Sequence, residues 1–263
     1  MTTKISRNFL RQGFTLMEVL VVIAIILVLA AIAVPAIDQF KIKANKVESL
    51  RRMKDLGAAA MAYTSENNGD LPQEDSKGTD SWQAASEPEN VKAWYNAIPK
   101  QMNRRTVGDY ANSPREFYTK DNILFVPGAT YPDPGKRLRQ PLFAIAINTK
   151  LQRKDPESGK KPALKLAQIV TPSRTALFLE QGLPGEKKDG GTDIQRKSNY
   201  DGAPKGSAKS FVGRYGGKGF VVFVDGHVDE FAPDDLLTET GSFPFPPTNV
   251  YWCRTPEEDP NKK

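Results

Sequence analysis

The hydrophobic pattern divides the chain sharply near residue 38. From Val19 to Ile37 no residue is charged, and a helix over that stretch extends roughly 29 Å, about one bilayer core. Beyond it the apolar positions Val47, Leu50, Met53, Leu56 or Gly57, Ala60 and Tyr63 recur every three to four residues, with Lys46, Glu48, Arg51, Arg52 and Lys54 between them. That period predicts an amphipathic helix. Asn67, Asn68 and Gly69 followed by Pro72 form a stop signal. The pattern therefore predicts one continuous helix from about residue 15 to 67, roughly 75 Å long. Its half at 14–37 is suited to membrane and its half at 38–67 to packing on a globular head.

The head, residues 68–263, is large enough for one core and too small to require two. Turn-rich stretches at Pro72 to Pro88, Pro127 to Pro141, Lys150 to Pro162 and Leu183 to Lys209 separate short apolar runs. Ile123 to Val126, Leu142 to Ile147, Ala176 to Leu179, Gly219 to Val224 and His227 to Phe231 read as strands. A short helix is expected around Val91 to Ile98. The sum is an α+β chain, an antiparallel sheet packed on the N-terminal helix. Asp225 and Gly226 sit between two apolar runs and predict a two-residue hairpin turn. The proline-rich end, with Pro244, Pro246, Pro247, Pro256 and Pro260, predicts an irregular, surface-bound or frayed tail.

Charge adds orientation. Lys4, Arg7 and Arg11 precede the span without an accompanying acid, so the positive-inside bias puts the N-terminus in the cytoplasm and the head outside. A secretory signal peptide has the same general form, but the run exceeds an ordinary apolar core, and Pro35 to Lys41 offers no convincing small-residue cleavage site. A plain signal anchor accounts for everything except Gly13 and Glu18. An acid within a membrane-grade segment is expensive and calls for a partner.

Gly13, Phe14, Thr15, Leu16, Met17 and Glu18 resemble the cleavage and methylation motif of type IV prepilins and type II secretion pseudopilins. The resemblance implies a basic leader, 1–13, cut by a prepilin peptidase between Gly13 and Phe14, with N-methylation of Phe14. Counted from Phe14, Glu18 is the fifth residue and Pro35 the twenty-second, positions where the family commonly carries glutamate and proline. It also implies a pilin-like fold with a long N-terminal helix, and filament assembly with other pilins or pseudopilins. The implied partners are an assembly platform protein, an ATPase and bacterial inner-membrane lipid, with the head in the periplasm. Cleavage exposes an α-amine whose reference pKa is about 8, a suitable counter-charge for Glu18. In the family this pairing with a neighbouring subunit is thought to set subunit stagger. Pro35 removes one helical hydrogen bond and is expected to kink or open the helix.

Other motifs add little chemistry. The segment from Arg214 to His227 partly resembles a pilin-like C-terminal motif of histidine, nine residues and Asp-Gly, with Tyr215 where the histidine would stand and Asp225 and Gly226 in place. His227 is the only histidine, which excludes His-rich metal sites. A residue just past a turn reads as structural, so no catalytic residue, cofactor or enzymatic activity is expected. Asp225, Asp229, Asp234 and Asp235 are candidate calcium ligands, but their spacing matches no defined calcium loop and they read as solvated charge. The glycines at 213, 216, 217 and 219 precede a strand, the wrong context for a phosphate cradle. Of the formal net charge of +6, three units belong to Lys4, Arg7 and Arg11. The remaining +3 is too small to argue for nucleic acid. Cys253 is alone, so no intramolecular disulfide is available.

Three classes of function follow: a filament subunit, which the resemblance favours, a membrane-tethered ligand- or substrate-binding module, and a membrane-anchored enzyme using His227.

Overall fold

The computed structural model describes residues 15–74, 79–152, 163–186, 200–238, 241–246 and 249–262. The chain forms two compact units, one ending at Lys43 and the other running from Ala44 to Lys263. Helix α1, Leu16–Glu66, runs unbroken through both, including position 35. In the first unit its apolar side chains are bare: Leu20 is 58% and Leu29 61% exposed. Among the described residues α1 is the one helix long and apolar enough to cross a membrane.

In the second unit α1 buries Met53, Leu56, Ala60 and Tyr63. The expected stripe is right except at its start: Val47 is exposed, and Ser49 is buried in its place. The helix ends where the sequence predicts, with Asn68 and Gly69 at positive φ of 54° and 82° and the Gly69 N–H closing on Thr64 O at 2.9 Å. Asparagine and glycine enter that left-handed region most readily.

Five strands make one sheet: β1, Ile145–Asn148; β2, Ala176–Glu180; β3, Lys205–Gly206; β4, Gly219–Phe223; and β5, Val228–Phe231. Their order is β3-β1-β2-β4-β5. The β1–β2, β2–β4 and β4–β5 pairs are antiparallel, as expected, but β3 joins β1 in parallel, so the sheet is mixed. Both residues of β3 lie in a turn-rich stretch with no apolar run to mark them. Ile123 to Val126 is a turn: the Asn122 side chain accepts from Leu124 N–H and donates to Phe117 O, folding the run back on itself. Leu124 and Val126 are buried all the same. The helix expected near residues 91–98 is found at Trp94–Gln101.

One face of the sheet, with Ile145, Ile147, Phe178, Phe220 and Val222, packs with α1 and with Trp94, Tyr95, Phe117 and Phe143. The other, with Ala146, Leu179, Val221 and Phe223, is covered by Leu236, Phe243, Val250 and Trp252. The predicted surface tail is therefore a third layer. Tyr251 lies against Thr175 in a parallel bridge, its N–H bonded to Arg174 O at 2.7 Å. A sheet covered on both faces has continuous apolar strands, which explains why β4 reads as an unbroken Phe-Val-Val-Phe.

Candidate functional site

Gly13 and Phe14 lie outside the described residues, which begin one position later with Thr15. Thr15 stands immediately before α1. Its N–H and its hydroxyl both donate to Glu18 Oε2 at 2.8 Å, and the Glu18 N–H reaches back to Thr15 Oγ1 at 3.3 Å. This reciprocal arrangement is a capping box, which satisfies N–H groups that a helix start leaves without intrahelical partners. It gives Glu18 a partner within its own chain, and it holds the carboxylate at the positive end of the helix dipole. The signal was present in the sequence as Thr-x-x-Glu ahead of an apolar run. Pro35 lies within the helix, and its side chain is outside the described set.

The C-terminal motif residues occupy two separate settings. Tyr215 is buried, and its hydroxyl donates to Glu180 Oε1 at 3.2 Å. The same oxygen accepts from Ser49 of α1 at 2.5 Å, while Oε2 accepts from the Phe220 N–H at 3.1 Å. Burial pushes the Glu180 carboxyl above its ordinary range, against the opposing influence of Arg214 and these three hydrogen bonds. It pushes the Tyr215 hydroxyl up as well. Beside them Arg214 makes a two-pronged ion pair with Glu186, Nε to Oε1 at 2.7 Å and Nη2 to Oε2 at 2.8 Å, both side chains 3% exposed. Sequence reading missed Glu180, Glu186 and Arg214, because nothing in their spacing marks a buried polar cluster.

The Asp225–Gly226 end of the motif is a turn against α1. The Phe223 N–H bonds His227 O and the Gly226 N–H bonds Phe223 O, each at 2.9 Å, with Gly226 at φ 89°. The loop therefore has three residues, Val224 to Gly226, where two were predicted, and its last position requires left-handed backbone. A Cβ built on Gly57 of α1 would lie 2.5 Å from Gly226 O and 2.9 Å from Val222 Cγ1. Two glycines thus let hairpin and helix touch backbone to backbone. His227 is partly exposed, with Nδ1 2.6 Å from Asp225 Oδ1 and its ring stacked on Phe223 at 4.3 Å.

The four aspartates weighed for calcium serve separate local needs where their bonds are described. Asp225 binds His227, Asp229 accepts from the Glu230 N–H, and Asp235 accepts from the Ala232 N–H. Among the described residues no group of three or more His, Cys, Asp or Glu could hold a metal ion. Cys253 is buried.

Comparison with known proteins bears on the N-terminal segment first. The prokaryotic N-terminal methylation motif matches residues 9–34. Two type IV major pilin proteins PilE1 of Neisseria gonorrhoeae are each 34% identical over 88 residues, which is 34% of this chain and 50% and 46% of theirs. The chain thus spans about half the length of the curated relatives it matches. No solved structure matches it. A long apolar N-terminal helix, a mixed α+β head behind it, the methylation motif across the helix start and this similarity to type IV major pilins together make the chain pilin-like.

Proposed function

We propose that the chain is a structural subunit of a type IV pilus-like or type II secretion pseudopilus filament. The observation that carries this reading is the coincidence of the methylation motif with the capped start of a bare apolar helix. A peptidase cut between Gly13 and Phe14 leaves Phe14 as the N-terminal residue, to be methylated, one position before the Thr15 cap. The precursor waits in the bacterial inner membrane with its leader in the cytoplasm and its head in the periplasm. Assembly, driven by a platform protein and an ATPase, brings the Phe14 amine of one subunit to Glu18 of another. The capping box supports that step physically. It engages Glu18 Oε2, so the carboxylate is held in place before a neighbour arrives. Pro35 supplies a point where the helix lacks one backbone hydrogen bond.

N-terminal mass analysis of membrane protein from cells with and without the peptidase tests the reading. The expected product begins with N-methylphenylalanine at Phe14 only when the peptidase is present. An intact Met1 in both samples overturns it. Glu18→Ala is expected to insert normally and to assemble poorly, and assembly at the wild-type level would remove the pairing step.

A further inference from the structure

In the second unit the two flanks of α1 differ: one is acidic, and the other exposes cations outside any ion pair among the described residues. At about 100° per residue, Lys46, Gly57 and Met61 fall on one side of the buried stripe of Ser49, Met53, Leu56 and Ala60. Arg51, Arg52 and Asp55 fall on the other. On the first side lies the β4–β5 hairpin, with Gly226 against Gly57 and Met61 and with Glu230 bound to Lys46 at 2.8 Å. From Asp225 to Asp235 the chain carries five carboxylates and neither lysine nor arginine. Asp225, Asp229, Asp234 and Asp235 are exposed. β5 is an edge strand, and acidic side chains there discourage edge-to-edge strand pairing. Contact with this flank is then made through its carboxylates.

The opposite flank carries both signs, and its exposed cations Arg104 and Lys120 set it apart from the hairpin side. A cleft of about 350 Å³ between α1 and the head is lined by Arg51, Arg52, Arg104 and Lys120 together with Asp55 and Asp121. Arg104 also borders two further clefts, of about 480 and 370 Å³. Several neighbouring cations are already answered within the chain. Arg51 pairs with Glu48 and Asp55, Arg52 with Glu48 and the carbonyls of Lys120 and Asn122, and Arg105 with Glu116. Arg104 and Lys120 are exposed, and among the described residues neither side chain forms an ion pair. The position of Arg104 is fixed by the left-handed Asn103 before it, φ 53°, and by its N–H bond to Pro99 O at 2.8 Å.

We infer that the Arg104–Lys120 flank of one copy receives the acidic hairpin flank of a second copy. The two surfaces differ and stand on opposite sides of one helix, so the contact is heterologous and leaves a free flank of each kind for the next copy. Repetition of such a contact makes an open helical array when the rotation does not close. Charge complementarity of this kind fixes partner and orientation more than it adds affinity. The inference rests on the filament reading above and specifies how neighbouring heads meet.

Paired cysteines in the full-length chain, with Cys253→Ser, test it in membranes: Arg104→Cys or Lys120→Cys combined with Asp229→Cys or Asp234→Cys. Mild oxidation is expected to give disulfide-linked oligomers from at least one pair and from none of the single-cysteine chains. Arg104→Glu with Lys120→Glu is expected to lower the assembled fraction at least tenfold, and adding Asp229→Lys with Asp234→Lys to restore most of it. Absence of cross-linking from every pair overturns the inference, whether or not filaments form. So does wild-type assembly by the reversed variant. Saturable binding of polyglutamate to the wild type without cross-linking assigns the cleft to a different acidic chain and likewise overturns it. The filament reading is judged separately, by the Phe14 N-terminus and by Glu18→Ala.

Discussion

The Glu180 carboxyl group on β2 accepts a 2.5 Å hydrogen bond from the Ser49 hydroxyl on α1, joining sheet and helix through a wholly buried acid. Such a group is tolerable only when its oxygens are satisfied, and Tyr215 and the Phe220 N–H complete the set. Because burial raises the folded-state pKa of Glu180, the folded chain keeps a proton that the unfolded chain releases above the ordinary value of 4.5. Stability contributed here is present below that value and falls as pH rises towards the raised folded value.

Glu48 works in the opposite sense. Hydrogen bonding to Arg51, aided by Arg52, holds its carboxyl down to about 2. Its contribution is present above 4.5 and is lost as pH falls towards 2. Partial exposure keeps it small. Denaturant unfolding of the full-length protein in detergent across pH 3 to 8 should therefore show two separate windows. Glu180→Gln is expected to flatten the slope above pH 4.5 and leave the acid limb unchanged, while Glu48→Gln does the reverse. An unchanged slope above pH 4.5 in Glu180→Gln would count against a protonated Glu180.

How much of this was legible beforehand follows from what each residue answers to. α1, its stop and four of the five strands follow from local periodicity, since apolar spacing of 3.6 or a run bounded by turns needs no distant partner. Ser49 stands four residues before Met53 and seven before Leu56, so helical spacing places it in the buried stripe, but the acceptor that satisfies its hydroxyl there, Glu180, is 131 residues away. β3 owes its existence to β1, and the third layer to Trp252 and Phe243 finding an uncovered sheet face. At the N-terminus Glu18 is legible as a costly acid, and the Thr-x-x-Glu spacing that gives it Thr15 as a partner is equally local. The corrections at β3 and the tail concern residues whose partners are remote in sequence, and periodicity carries no information about those.

Gly57 tests the helix–hairpin contact. In an open helix, alanine is favoured over glycine by about 1 kcal/mol. Here the new Cβ would meet Gly226 O at 2.5 Å, and backbone cannot turn aside as a side-chain tip can. Gly57→Ala is accordingly expected to destabilise the head by about 1–3 kcal/mol, the range for overpacking. Denaturant midpoints at unchanged slope measure it. A stabilised variant would show that hairpin and helix do not touch this closely.

Thr15 separates the cap from the charge. Thr15→Val keeps a β-branched side chain of similar size and removes the oxygen that accepts from the Glu18 N–H and donates to its carboxylate. Loss of an N-cap is expected to weaken the first turn by about 1 kcal/mol, while Thr15→Ser retains the bonds. Amide hydrogen exchange in micelles should show faster exchange over residues 16–19 in the valine variant alone. Equal protection in both variants would mean that the capping box contributes nothing to the helix start.

Arg214 and Glu186 provide the sharpest test of the buried polar cluster. Breaking a buried pair from one side strands a charge and typically costs about 3–5 kcal/mol, so Arg214→Met is expected to fall in that range. Replacing both, as Arg214→Met with Glu186→Leu, should recover only part of the loss. Glu186 also accepts from the backbone N–H groups of Thr130 and Leu183 at 3.1 and 2.9 Å, and the leucine leaves those donors unanswered. A double-mutant cycle on unfolding free energy measures the coupling. Strictly additive losses would mean that the two side chains are held by their surroundings independently of one another, in conflict with the two-pronged geometry.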